Sequence, residues 1–230
     1  EYYLRRTFGK RCVKIPVDAG FTCPNIDGLR GRGGCIYCSG RGSGDFAPSQ
    51  SLGVTEQIEA GRRLLGTKWD TTNIIPYFQA HTNTYAPLSV LREKFEEALA
   101  APGVVGLNIA TRADCLEDDT VEYLARLAER TTLTVELGLQ TVHDKTAALI
   151  NRRHTYSEFL DGYDKLRRAG AGINICVHII LGLPGEDDKM MLQSARELSR
   201  LHPEQVKIHL LHILRETRLA EMYNSGEYIP

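Results

Sequence analysis

The run Gly172-Ile-Asn-Ile-Cys-Val-His-Ile-Ile-Leu-Gly182, followed by Asp187-Asp-Lys-Met-Met-Leu-Gln-Ser-Ala-Arg-Glu-Leu-Ser-Arg-Leu201, decides the fold. Side chains alternate faces along a strand, so Ile173, Ile175, Val177, Ile179 and Leu181 oppose Asn174, Cys176, His178, Ile180 and Gly182. The stretch that follows has helical periodicity. The same couple recurs along the chain. Strands are expected at 12–17, 73–80, 106–112, 133–140, 172–182 and 206–214, and helices at 54–65, 89–100, 118–130, 156–169 and 187–201. Ser89, Asp118 and Ser157 read as N-terminal caps and Gly170 as a C-terminal stop. Alternating strands and helices imply an α/β fold, a parallel sheet and right-handed crossovers. Six units are too few for a closed eight-stranded barrel, so the expected architecture is an open partial (β/α)6 barrel with parallel strands. One domain covers residues 1–230, with no internal repeat, low-complexity tract or linker.

The other strands have the same two-faced character. Val13, Ile15 and Val17 oppose Lys14 and Asp18. Ile74, Phe78 and Ala80 oppose Tyr77, Gln79 and His81. Leu107 and Ile109 oppose Asn108 and Arg112. Val135, Leu137 and Leu139 oppose Glu136, Gly138 and Gln140. Val206, Ile208 and Leu210 oppose Lys207 and His209. The aliphatic faces are expected to pack against the helices, and the polar faces to turn into the barrel. An ordinary barrel core is filled with branched apolar side chains. Unpartnered polar groups there would cost about 1–3 kcal/mol each. The lumen is therefore wet or lined around a polar ligand, or else its polar groups satisfy one another.

Composition narrows the class. Hydrophobic residues make up 42% and charged residues 25%, too apolar for a disordered chain. A net charge of −1 gives no global field for nucleic acid or membrane. No apolar run has the length of a membrane helix and no signal peptide opens the chain, so a cytoplasmic, reducing location is expected and no membrane partner. In that setting six cysteines point to metal before disulfides. Cys23, Cys35 and Cys38 form a C-x11-C-x2-C loop, with Gly28, Gly31, Gly33 and Gly34 between the ligands. Glycine lets such a loop close tightly around an inorganic core. Three thiolates without a fourth nearby ligand suit a [4Fe–4S] cluster with one open iron; zinc with a distant ligand and a metal-free loop stay as alternatives. Cys12 and Cys176 read as buried small hydrophobes, and Cys115 as a packing residue before a reactive thiol.

Beyond the cysteines, Val135-Glu-Leu-Gly-Leu-Gln-Thr141, Asn151-Arg-Arg-His154 and His178-Ile-Ile-Leu-Gly-Leu-Pro-Gly-Glu186 resemble the radical S-adenosylmethionine (SAM) superfamily, in its elongator-catalytic-subunit and coproporphyrinogen-oxidase-like branches. Ala19-Gly-Phe-Thr-Cys-Pro-Asn-Ile-Asp-Gly28, Gly34-Cys-Ile-Tyr-Cys38, Gly42-Ser-Gly-Asp-Phe-Ala47 and Tyr77-Phe-Gln-Ala-His-Thr-Asn-Thr-Tyr85 resemble its YhcC-like subgroup. The resemblance implies that Cys23, Cys35 and Cys38 hold three irons and that Tyr37 lies near the SAM adenine. It implies that the segment containing Gln79, Ala80 and His81 meets the methionine amino group. Gln140 and Arg152 would address the ribose or the methionine carboxylate. His178 stands where relatives place a ribose-binding Asp, and Ala110 where they often carry a Glu. Those departures suggest a rearranged pocket in which Glu136 or His209 compensates.

The activity so implied is reductive cleavage of SAM to a 5′-deoxyadenosyl radical that takes hydrogen from a substrate, fed by a flavodoxin- or ferredoxin-like electron donor. The long first spacing departs from the superfamily's commoner C-x3-C-x2-C. The substrate is not named by the residues. Arg5, Arg6, Lys10, Arg11 and Lys14, with Tyr2, Tyr3 and Phe8, leave RNA as one possible partner, alongside a non-enzymatic metal or iron–sulfur protein as the other alternative. A C-terminal extension covering the site is expected beyond Pro230.

Overall fold

A computed structural model of the chain describes residues 2–170 and 172–230. A short helix α1 (Tyr2–Phe8) precedes strand β1 (Val13–Val17). Then follow α2 (Val54–Gly66), β2 (Ile74–Phe78), α3 (Leu88–Ala100), β3 (Gly106–Thr111), a 3-10 turn (Ala113–Cys115) and α4 (Asp118–Ala128). The remainder is β4 (Thr132–Gln140), α5 (Asp144–Leu149), α6 (Tyr156–Ala169), β5 (Ile173–Leu181), α7 (Asp188–Leu201), β6 (Gln205–Leu210) and α8 (Arg218–Asn224). All neighbouring strands pair in parallel in the order β1-β2-β3-β4-β5-β6. The sheet curls into a half-barrel whose edges, β1 and β6, are not paired with each other. This is the partial (β/α)6 barrel that the alternating pattern predicts.

The aliphatic strand faces make the core. Ile15, Val17, Ile74, Phe78, Leu107, Ile109, Val135, Leu137, Ile175 and Val177 are buried beneath Leu91 and Phe95 of α3, Leu124 and Leu127 of α4 and Phe159 and Leu166 of α6. Phe78 meets Phe95 edge-on, centroids 4.9 Å apart, a favoured aromatic geometry. Strand β6 departs from the expectation. Val206, Ile208 and Leu210 are exposed, not packed under helices. An edge strand has one neighbour, and the outer face of β6 lies past the last helix that covers the sheet. The strand also stops at Leu210, short of the expected 214.

Helix starts differ by one or two residues from the sequence reading. Glu117 and Pro87 hold the cap positions of α4 and α3 instead of Asp118 and Ser89. Thr155, not Ser157, caps α6: its Oγ1 accepts from the Glu158 amide at 3.2 Å, while Glu158 accepts from the Thr155 amide at 2.8 Å. That reciprocal box satisfies two orphan donors at once, which Ser157 inside the first turn cannot do. Gly170 does close α6, at φ 152°. The short helices α1, α5 and α8 have too few turns for a periodic signal and were not legible.

One close approach sets the position of α6. A methyl group on Gly162 would overlap the carbonyl of Ala113 and stand 2.9 Å from the Ala113 Cβ. Gly162→Ala is therefore expected to destabilise by about 1–3 kcal/mol, since backbone must move on one side. A lower urea midpoint at unchanged slope checks it.

Candidate active site

The three-cysteine loop follows β1 at the carboxyl end of the sheet and is held by its own backbone. Cys23 O accepts from the amides of Ile26 (2.8 Å) and Asp27 (3.2 Å), Asn25 O from Gly34 (2.9 Å), and Cys35 O from Cys38 (3.1 Å). The loop then docks on the turn after α5. Ile36 N donates to Ile150 O at 3.1 Å, and Asn151 Nδ2 donates to Gly34 O at 2.6 Å. Asn151 and Arg153 have φ of 55° and 60°, left-handed values that a non-glycine residue keeps only when its surroundings fix it.

Arg112 supplies much of that fixing. Its guanidinium forks onto Asp114 through Nε (2.9 Å) and Nη2 (2.8 Å), and Nη1 donates to Arg152 O at 2.9 Å. Both side chains of this ion pair are 2% exposed. The sequence reading placed Arg112 on the lumen face of the third strand; it stands one residue beyond the strand and serves the loop instead. An Arg-x-Asp at a strand end was the only signal for it.

Arg152 lies between the two loops. It is buried, donates through Nη2 to Gly138 O, and brings Nη1 to 4.0 Å from Cys35 Sγ. The sulfurs are electrostatically uneven. A hydrogen bond from Cys38 holds Cys35 well below the usual thiol range, with Arg152 and Arg112 adding to it against the cost of burial. Cys38 is pushed correspondingly up, first by that same bond to Cys35 and then by burial. Such an electropositive pocket favours thiolate, the form that binds metal. Cys115 is different: burial drives it up to about 12, as an inert packing residue should be.

Gln140 is placed by a break in strand alternation. The β4–β5 register shifts between Gly138 and Gln140, and Gln140 has φ 76°. Its side chain thereby meets the Arg152 shelf: a Cβ on Gly138 would lie 2.8 Å from Gln140 Nε2 and 3.0 Å from Arg152 Nη2. Buried Gln140 Oε1 and Arg152 Nε have no protein partner. Two orphaned polar atoms, one acceptor and one donor, beside Cys35 mark a place for a polar ligand.

The segment after β2 borders the cysteine loop on its other side. Gln79 Nε2 donates to Ser43 O at 2.9 Å, and His81 N to Gly42 O at 2.9 Å. Ala80 is buried against Gly44. Burial lowers the His81 pKa, and its Nδ1 is unpartnered. Tyr37 sits against Cys35 and Cys38, and burial raises its phenol well above the usual range. It packs against two small apolar clusters, Ile150, Ile180 and Leu183 on one side and Leu219, Met222 and Tyr228 on the other.

Glu136 and His178 belong to a neighbouring hydrogen-bond network. His178 Nε2 bonds Glu136 Oε2 at 2.8 Å in the lumen, where His178 is in register with Gly138. The structure thus brings Tyr37 and Arg152 to Cys35, sets Gln140 beside Arg152, seats Gln79, Ala80 and His81 against residues 42–44 just past Cys38, and joins Glu136 to His178 in a neighbouring polar network. Among the described residues, one trio of metal-type ligands has its atoms within 4.8 Å of one another: Glu136, Cys176 and His178. The loop cysteines do not form a group that tight.

A parallel half-barrel with a three-cysteine loop at the carboxyl ends of its strands defines a class, and the family model that matches residues 28–198 is that of the radical SAM superfamily. The chain belongs to that superfamily. Within it, the relatives place the chain in the YhcC-like subgroup. YtqA of Bacillus subtilis is 50% identical over 99% of this chain and 70% of its own length, and YhcC of Escherichia coli is 34% identical over 97% and 71%. The solved Elp3 of Methanocaldococcus infernus, 20% identical, superposes with a TM-score of 0.67 over 95% of this chain and 50% of its own, which shows the shared fold. The chain thus spans about half of that solved structure. Among the described residues, no helix is long and apolar enough to cross a membrane.

Proposed function

We propose that the chain is the catalytic core of a radical SAM enzyme. Cys23, Cys35 and Cys38 would hold a [4Fe–4S] cluster and leave one iron for SAM. The observation that carries this reading is the pair of orphaned atoms, Gln140 Oε1 and Arg152 Nε, beside an electropositive thiolate pocket. When bound, the cluster and SAM supply one-electron cleavage of the S–C5′ bond and a radical able to take hydrogen from a substrate.

The chain's own residues have defined tasks in this reading. Burial works against the charge of Arg152, but Cys35, Tyr37, Asp114 and Cys23 together keep it charged. It offers that charge both to thiolate and to a carboxylate such as that of methionine. Gln140 Oε1 would accept from a ribose hydroxyl. The backbone-tied segment from Gln79 to His81 would meet the amino group, and Tyr37 would lie near the adenine. A flavodoxin- or ferredoxin-like protein serves as electron donor.

The test is anaerobic reconstitution followed by dithionite and SAM. Wild-type protein is expected to release 5′-deoxyadenosine, and Cys35→Ala to release none. Fully reconstituted wild type without cleavage sinks the enzyme reading and leaves an iron–sulfur binding protein. Salt-sensitive tRNA binding by the same preparation would direct the substrate search to RNA.

A further inference from the structure

In the middle of the lumen two ammonium groups share one carboxylate. Glu136, from the middle of β4, is 1% exposed and its two oxygens take four donors. Oε1 accepts from Lys14 Nζ at 3.0 Å and Asn108 Nδ2 at 2.6 Å, and Oε2 from His178 Nε2 at 2.8 Å and Lys207 Nζ at 2.8 Å. That uses the acceptor capacity of a carboxylate. The trio with Cys176 and His178 is consequently a poor cation site, since a metal would have to expel two ammonium groups.

The surplus lies with the lysines. Lys14 spends one of its N–H donors on Glu136; Lys207 spends one there and one on Tyr77 Oη at 3.2 Å. Each ammonium has three donors, so some remain free on both. The other titratable neighbours are neutral at pH 7. Burial lowers His178, lowers His209 to about 4 and raises Cys176 to about 12. The lysines are also reachable: their side chains are 32% and 37% exposed, while the carboxylate they share is sealed. They rise from β1 and β6, the two unpaired edges, and so face each other across the open seam of the half-barrel. Lys207 is in register with His178, and His178 with Gly138, whose carbonyl anchors Arg152.

We propose that Lys14 and Lys207 form an oxyanion site for the substrate, holding a carboxylate or phosphate group of a small molecule in the lumen next to the Arg152 shelf. The inference rests on the reading that the substrate is held in this lumen, but its test does not use radical chemistry. Inorganic phosphate and succinate are titrated calorimetrically into the reconstituted chain, wild type and Lys14→Gln, Lys207→Gln and Lys207→Arg, with melting curves to verify folding. Saturable binding of one probe is expected, weakened by about tenfold or more in each Gln variant and largely retained in Lys207→Arg. Which probe binds identifies the oxyanion. Binding of neither, or equal binding by wild type and the Gln variants, overturns the site. Cleavage of SAM by the same wild-type sample is scored separately, so failure of the oxyanion site and failure of the enzyme reading are distinct results.

Discussion

Arg112→Ala is expected to cost about 3–5 kcal/mol, because it takes the fork from buried Asp114 and leaves it the longer Arg30 contact at 3.6 Å. Asp114 is 2% exposed, so water cannot replace the guanidinium. The same substitution releases Arg152 O and Arg153 O, the carbonyls that hold the turn under the cysteine loop. Most natural domains have only about 5–15 kcal/mol in total, so the variant should sit near the edge of folding. The expected drop in melting temperature is about 6–20 °C for a chain of this size. Arg112→Lys keeps the charge but loses the two-pronged geometry, and it should fall between the two. An Arg112→Ala protein as stable as wild type would show that the clamp contributes nothing.

Glu136→Gln should produce the second large effect, with a defined pH signature. Burial by itself would raise the Glu136 pKa, yet the His178 hydrogen bond and the Lys14 and Lys207 ammoniums hold it far below the usual carboxylate range. A carboxyl that binds its proton less readily when folded stabilises the fold above its unfolded pKa, and that stability is lost as pH falls. The loss therefore starts near pH 4.3, the unfolded value, and continues downward. At pH 7 the Gln variant should be less stable by about 2–3 kcal/mol, less than a fully buried pair because the lysines can be partly hydrated. Below about pH 4.3 the two proteins should converge. Parallel curves from pH 7 to pH 3 would contradict the ionised network. A calorimetric pH series reads both outcomes.

Strand identity and the polar lumen were set by features that act over a few residues. The alternation of Ile173 to Leu181 requires one face to be buried whatever surrounds it, and the spacing of Cys23, Cys35 and Cys38 puts three thiols in one loop before any tertiary contact forms. The reading failed where a residue's surroundings lie far along the chain. Gln140 and Arg152 were named together through the family resemblance, but strand alternation alone does not contain the β4–β5 register slip that places Gln140 on the Arg152 shelf. Arg112 serves carbonyls forty residues away, and its partners become neighbours only when the turn after α5 docks on the cysteine loop. The exposure of Val206, Ile208 and Leu210 follows from β6 being an edge, a property of the sheet and not of the strand.

By itself, then, the sequence determined which residues alternate, which helices alternate with them and which three sulfurs stand together, because backbone geometry and covalent spacing are local. Tertiary structure alone decided the company each polar group keeps. Lys14 and Lys207 are separated by nearly the whole chain, and they share Glu136 because a curled sheet brings its two edges toward one another.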